Sequence, residues 1–271
     1  MQGKRREARA KSMKLSFLEL KDNYAKILFE DTTPHFVNAI RRTLISDIPK
    51  LAIENVKIYD NTSALFDEII AHRLAMLPLP TKLDLLVPKS ECSCNGEGCP
   101  SCTVHYTLSK EGEGTVYSGD LRAEDPMWEV VDKNIPIVKL IKNQRLILEA
   151  EAILGTAKEH AKWQAICGIG YKYYPVIRIS EECNLCGECI NACPKNILEI
   201  KNNKIIVKNE IDCTLCKSCE EVCKLEAIKV EGDEKRIIMQ YETDDSISAK
   251  EALQEALKIL KKKYEELEEN L

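Results

Sequence analysis

"CNLCGECINACP", residues 183–194, and "CTLCKSCEEVCK", residues 213–224, carry one cysteine spacing twice, thirty residues apart. Each run reads C-x2-C-x2-C-x3-C: Cys183, Cys186, Cys189 and Cys193, then Cys213, Cys216, Cys219 and Cys223. Three thiolates on one tight loop bind three irons of a cubane. The fourth cannot reach the same cluster and ligates the other. The spacing therefore predicts one cluster on Cys183, Cys186, Cys189 and Cys223, and a second on Cys193, Cys213, Cys216 and Cys219. Pro194 closes the first run as the pattern expects, whereas Lys224 stands in that place after the second and leaves a three-iron form open there. Structural zinc in these thiolates is the bland alternative, but zinc does not require two interlocked runs.

Between the runs, "ILEIKNNKIIVKNEID" gives two short strands about an Asn–Asn turn, and the repeat also matches Leu185 to Leu215 and Leu198 to Ile228. Residues 176–231 thus resemble the pseudo-twofold ferredoxin module with two [4Fe-4S] clusters. A third group, Cys92, Cys94, Cys99 and Cys102, lies in the loop "ECSCNGEGCPSC". Four thiolates on a loop without apolar residues suit tetrahedral zinc, which would order it; the alternative is free or occasionally disulfide-linked cysteines. The thirteenth cysteine, Cys167, sits in an apolar run and reads as a buried small hydrophobe.

The totals fit a metal protein of the reducing cytoplasm. Clustered cysteines in a chain of 271 residues with no secretory h-region argue for metal rather than disulfides. Net charge is −5, so no basic field draws the chain to nucleic acid, and no direct sequence-specific DNA binding is expected. No run of eighteen apolar residues marks a membrane span. Residues 1–12, "MQGKRREARAKS", read as a disordered basic tail. There is no Walker loop, nucleophile elbow or acidic triad, and the four histidines, among them His72 and His160 flanked by charges, read as surface residues.

Away from the cysteines the chain alternates helix and strand. "YAKILFE" reads as a strand. Thr33 and Pro34 open a helix whose apolar face is Phe36, Val37, Ile40, Leu44 and Ile48, ended by Pro49. "LAIENVKIYDNTS" is a strand, and "ALFDEIIAHRLAML" a second helix with Leu65, Ile69, Leu74 and Leu77 as its buried stripe. "TVHYTLS", "GTVYSGDL" and "QRLILEAEAIL" read as strands of a mainly antiparallel sheet. Near the end, Ser248 and Glu251 make a capping box, and Leu253, Leu257, Leu260, Tyr264, Leu267 and Leu271 form a heptad seam along which another helix, from this chain or from a partner, is expected to pack.

"FVNAIRRTLISDIPKLAIENVKIYDNTSALFDEIIAHRLAMLPLP", residues 36–80, together with "GTAKEHAKW", residues 155–163, resembles the D subunit of archaeal RNA polymerase. That subunit is related to the third-largest subunit of eukaryotic RNA polymerase II and to the bacterial alpha subunit. The resemblance runs from Met13 to the C-terminus and implies an α+β fold in three parts. Residues 13–51 with 232–271 would form an alpha-subunit-like dimerisation domain, 52–175 an inserted mixed α/β domain, and 176–231 the ferredoxin-like domain. It further implies a non-catalytic assembly subunit of a DNA-directed RNA polymerase (a nucleotidyltransferase), cytoplasmic, pairing with the small L subunit to nucleate assembly of the large subunits. The large catalytic and small zinc-binding subunits are the further partners, with Arg41, Arg42, Arg73, Lys158 and Lys162 as candidate contacts. The competing readings are a ferredoxin-type electron-transfer protein and a redox-sensing adaptor. The first leaves everything outside 176–231 without a purpose, whereas the second can overlie the assembly role.

Overall fold

Alternation shapes the first strands. In the computed structural model, which describes residues 13–271, Ala25, Ile27 and Phe29 of β2 (Tyr24–Glu30) are buried and their neighbours half-buried. The tail expected over residues 1–12 lies outside the described residues. β2 belongs to a four-stranded sheet of order β1-β2-β12-β9, with β1 at Lys14–Leu20, β9 at Ile166–Ile179 and β12 at Ile228–Thr243. β1 is an edge strand and every residue in it is exposed, including Leu15, Phe17, Leu18 and Leu20.

Contacts divide the chain into two compact units. One holds the described residues up to Glu19, then Lys26–Asn38 and Gly170–Gln240; the other holds Leu20–Ala25, Ala39–Ile169 and Tyr241–Leu271. The helix α1 (Pro34–Ser46) begins as the sequence predicts, with the Phe36 N–H donating to the Thr33 hydroxyl at 3.4 Å and Pro34 in the first turn. Val37, Ile40 and Leu44 are its buried stripe.

The second unit is built on a sheet of order β3-β8-β4-β6, antiparallel at every pairing. Its strands are β3 (Lys50–Asn61), β4 (Thr103–Glu111), β6 (Arg122–Ala123) and β8 (Arg145–Gly155). A two-stranded pair, β5 (Gly114–Tyr117) with β7 (Pro136–Leu140), and the helix α2 (Asp67–Ala75) share its core. Tyr106 is fully buried there, and its hydroxyl donates to the Trp128 carbonyl at 2.7 Å, so the polar end of the ring is satisfied. The stripe expected on α2 needs correction. Leu74 and Leu77 are buried and Leu65 packs at the margin, but Ile69 is 47% exposed and Ile70 takes its place. The helix starts at Asp67 rather than Ala64, so counting one turn back from Leu74 falls on Ile70.

A bulge in β3 explains the segment "GTAKEHAKW". The β3–β8 register shifts between Ile53 and Asn55, leaving Glu54 unpaired. The Lys162 ammonium fills the gap, donating to the Ile53 carbonyl at 3.0 Å and pairing with the Glu54 carboxylate. It also lies 4.3 Å from the centroid of the Trp163 ring. That ring is 6% exposed and covers Gly155, where any Cβ would collide with it.

The last helix, α5 (Ala249–Glu269), carries the expected capping box of Ser248 and Glu251. Ala252, Leu253, Ala256 and Leu260 are buried, but Tyr264, Leu267 and Leu271 are 56%, 58% and 101% exposed. The heptad seam therefore runs on past its own chain's core.

Asp47, just beyond α1, ties this unit together. Burial pushes its carboxyl up, but bonds from Lys158, at 2.8 Å, and from Lys263 and Ser46 outweigh this and hold it at about 2. Its folded value lies below the ordinary 3.8, so the stabilisation is present in full above about pH 4 and is lost as pH falls toward 2. Asp47→Asn is expected to cost on the order of 1 kcal/mol at neutral pH, because solvent around the two lysines weakens the pairs. The wild-type advantage should vanish below about pH 2 in acid titrations followed by circular dichroism. A difference that stays constant down to that pH would remove the ion pairs from the account.

Candidate metal centres

The two cysteine runs share one backbone as well as one spacing. Leu185 and Leu215 are both left-handed, with φ of 59° and 58°; so are Gly187 and Lys217, and Asn196 and Glu226. Each pair is thirty residues apart. Left-handed backbone is strained for residues other than glycine, and its recurrence at matched positions marks loops bent around something central. Each loop runs into a short helix, α3 (Glu188–Ala192) or α4 (Ser218–Glu221), which carries Cys189 or Cys219. Between them β10 (Leu198–Lys201) and β11 (Lys204–Val207) pair about the expected Asn202–Asn203 turn, both asparagines having positive φ as a two-residue hairpin requires.

The fold sorts the eight thiols into two groups. Cys183, Cys186, Cys189 and Cys223 line one cavity, and Cys193, Cys213, Cys216 and Cys219 line another. Each takes three cysteines from one run and the fourth from the other. Ile179, Ile205 and Ile228 wall the first, and Ile177, Ile197 and Val230 the second. Backbone N–H groups approach the sulphurs, Ala227 on Cys223 at 3.3 Å and Leu215 on Cys213 at 3.5 Å. Burial pushes the thiols of Cys189 and Cys213 up and that of Cys219 to about 11, whereas hydrogen bonding to Ser218 lowers Cys216. Buried thiols of this kind ionise readily when a bound cation compensates the charge. Four thiolates around an apolar void, with amides aimed at the sulphurs, fit an iron–sulphur cubane.

The third group closes on itself in the loop 92–102. Cys92 and Cys99 have their sulphurs 3.5 Å apart, Cys94 and Cys102 3.6 Å, and Cys99 and Cys102 3.9 Å. All four sulphurs lie within 4.8 Å of one another. A zinc ion with four bonds of about 2.3 Å needs a tetrahedron with edges of about 3.8 Å. The measured separations fit that shape. Two turns make it, with the Asn95 N–H on the Cys92 carbonyl and the Cys102 N–H on the Cys99 carbonyl, and Gly96 and Gly98 in left-handed backbone between them. The N–H of Gly98 is the main reason the Cys94 thiol falls to about 6, while burial pushes Cys102 up to about 12.

Other expected site residues have different settings. Cys167 is exposed rather than buried, because alternation along β9 turns Ile166 inward and Cys167 out. Lys162 is 8% exposed and held in the β3 bulge, so it is not a surface contact, contrary to the sequence reading. Arg42 and Arg73 are exposed, Arg73 donating to the Pro136 carbonyl at 2.9 Å, and Lys158 is 60% exposed while pairing with Asp47. His160 accepts from the Lys162 N–H at 3.1 Å and caps the turn leading to Trp163. Lys172, which bonds to the Cys213 loop, went unnoticed in the sequence, because no motif singles it out.

Two family models match the chain: the RNA polymerase Rpb3/RpoA insert domain over residues 56–167, and a 4Fe-4S dicluster domain over residues 182–228. Among curated proteins, the DNA-directed RNA polymerase subunit Rpo3 of Methanosarcina mazei is 46% identical over 259 residues, covering 94% of this chain and 97% of the relative. Subunit Rpo3 of Methanosarcina acetivorans is 44% identical with the same coverage. That of Archaeoglobus fulgidus is 43% identical over 253 residues, covering 93% of this chain and 96% of its own.

Proposed function

The chain belongs to the Rpo3 family of archaeal DNA-directed RNA polymerase subunits, and we propose from this that it is a non-catalytic assembly subunit that heterodimerises with the small L subunit. The dimerisation domain is assigned to residues 13–51 with 232–271, the inserted domain to 52–175 and the iron–sulphur domain to 176–231. The insert and dicluster matches, 56–167 and 182–228, fall inside the last two and support that division. One observation carries the pairing: the apolar seam of α5 continues into solvent at Tyr264 and Leu267, with the exposed Leu271 just beyond the helix. A row of this kind on a charged helix is stable when a second helix covers it. The electron-carrier reading accounts for the dicluster segment alone, whereas the Rpo3 match spans 94% of the chain.

Within this role the clusters act on the fold. Cys183, Cys186, Cys189 and Cys223 would hold one [4Fe-4S] cluster, and Cys193, Cys213, Cys216 and Cys219 the other; the separate cavities support that assignment. Cys92, Cys94, Cys99 and Cys102 would hold zinc, which the tetrahedral sulphur spacing supports. Bound metal supplies folding energy at both places.

The test is affinity purification of the full chain from its host, comparing wild type with a Tyr264→Asp, Leu267→Lys double variant. The wild type is expected to bring down the L subunit and the large polymerase subunits, and the variant to lose them. Recovery of a reductase alone, or full recovery by the variant, overturns the reading. The wild-type sample is also expected to hold about eight irons, four per cubane, and one zinc. Zinc absent from such a sample would remove the zinc assignment.

A further inference from the structure

We infer that Lys172 is a positioning residue that anchors the loop entering the Cys193, Cys213, Cys216 and Cys219 site and fixes a positive charge beside it, so that the two iron–sulphur sites differ in reduction potential. The inference rests on the ligand assignment proposed above. Lys172 lies on β9, half-buried, and its Nζ donates to two backbone carbonyls, those of Ile211 and Cys213, each at 2.6 Å. An ammonium has three donors and no acceptor, so two of them are spent on the loop that delivers the first ligand of this site. The charge is thereby held one residue's breadth from a thiol that is itself 7% exposed.

The place is a costly one for a cation. Lys172 is half-buried, and Lys26 lines the same cleft. Lys195 lines the same cleft, and the one carboxylate lining it, Asp212, sits 3.9 Å from Lys26. The two carbonyl bonds are what hold the charge there. Nothing equivalent stands at the other site. Thirty residues upstream, the matching carbonyls are those of Glu181 and Cys183, and among the described residues no Lys or Arg donates to either. Lys224 lines that cavity but is exposed. Reducing a four-iron cubane adds one negative charge, which a nearby fixed cation stabilises. The Cys213 side should therefore be reduced first.

The experiment is a redox titration of the full chain with its metals bound, in which a low-potential chemical reductant supplies one electron per cluster. Lys172→Met and Lys172→Arg are compared with wild type, and iron is counted in each. In Lys172→Met one of the two steps should move to lower potential, with at least a tenfold change in its oxidised-to-reduced ratio at fixed potential, about 59 mV for one electron. The other step should stay, and Lys172→Arg should restore the first. Loss of about four irons from Lys172→Met that Lys172→Arg retains would equally support the anchoring role. Unchanged potentials with full iron, an equal shift of both steps, or the same iron loss in both variants overturns it. A wild-type chain without its irons would instead be a failure of the ligand assignment, and it is read before either variant.

Discussion

Cys219→Ser is expected to unfold the iron–sulphur module while leaving the inserted sheet intact. The module's buried core is Cys189, Ile197, Leu198, Ile205, Cys213, Cys219, Ile228 and Val230, so three of its eight members are cysteines of the proposed cluster sites. The core cluster packed on the β3-β8-β4-β6 sheet, by contrast, has twenty-two buried hydrophobic residues among the described residues and none is a cysteine. Five aliphatic side chains do not offset the entropy of ordering the two loops, two short helices and a hairpin. Metal binding must supply the difference, which makes the loss several kcal/mol rather than the fraction a Cys-to-Ser swap would cost elsewhere. Because the second site also takes Cys193 from the first run, the damage should spread to both. Hydrogen exchange on the full chain reads the outcome: amides of β10 and β11 should exchange at near-random-coil rates, and those of β3 and β8 as in wild type. A β10–β11 hairpin still protected in the variant would mean that the core suffices without metal.

Trp163→Ala should destabilise the inserted domain by about 3–5 kcal/mol, the usual cost of deleting a buried large aromatic. The indole covers Gly155, its Nε1–H donates to the Ile153 carbonyl at 3.3 Å, and its face carries the Lys162 ammonium. Removing the ring opens a cavity over β8 and exposes the ion pair that closes the β3 bulge. Gly155→Ala approaches the same contact from the other side and should cost about 1–3 kcal/mol, because the added Cβ collides with a ring that is itself buried. Urea unfolding followed by tryptophan fluorescence, which comes from Trp128 alone in Trp163→Ala, measures both. Midpoints within about 0.5 kcal/mol of wild type would show that this contact is dispensable.

Much of this was legible in the sequence because the signals are local. Thirty-residue spacing located the thiols, and Thr33–Pro34 and Ser248–Glu251 located two helix starts, since each signature lies within a few residues of what it controls. The two longest strands were not. β9 contains Gly168, Gly170 and Pro175, residue types that interrupt a strand pattern, and its sheet neighbour β12 begins some fifty residues after it ends. Ile69 and Ile70 are adjacent apolar residues, so which one faces the core depended on where α2 starts, the least predictable feature of a helix. Lys162 shows a different limit. A lysine in a charged stretch reads as solvent-facing, and nothing in "KEHAKW" announces that a bulge on another strand has opened a carbonyl for it.

The edge strand β1 has a bearing on supply. Its four exposed apolar side chains sit on a sheet border, the arrangement that recruits other chains when left uncovered. A cell that makes this chain faster than whatever shields that border would lose the surplus to aggregates and proteases. Output of the finished assembly would then be metered by the scarcer component, with no dedicated regulator needed to balance their synthesis.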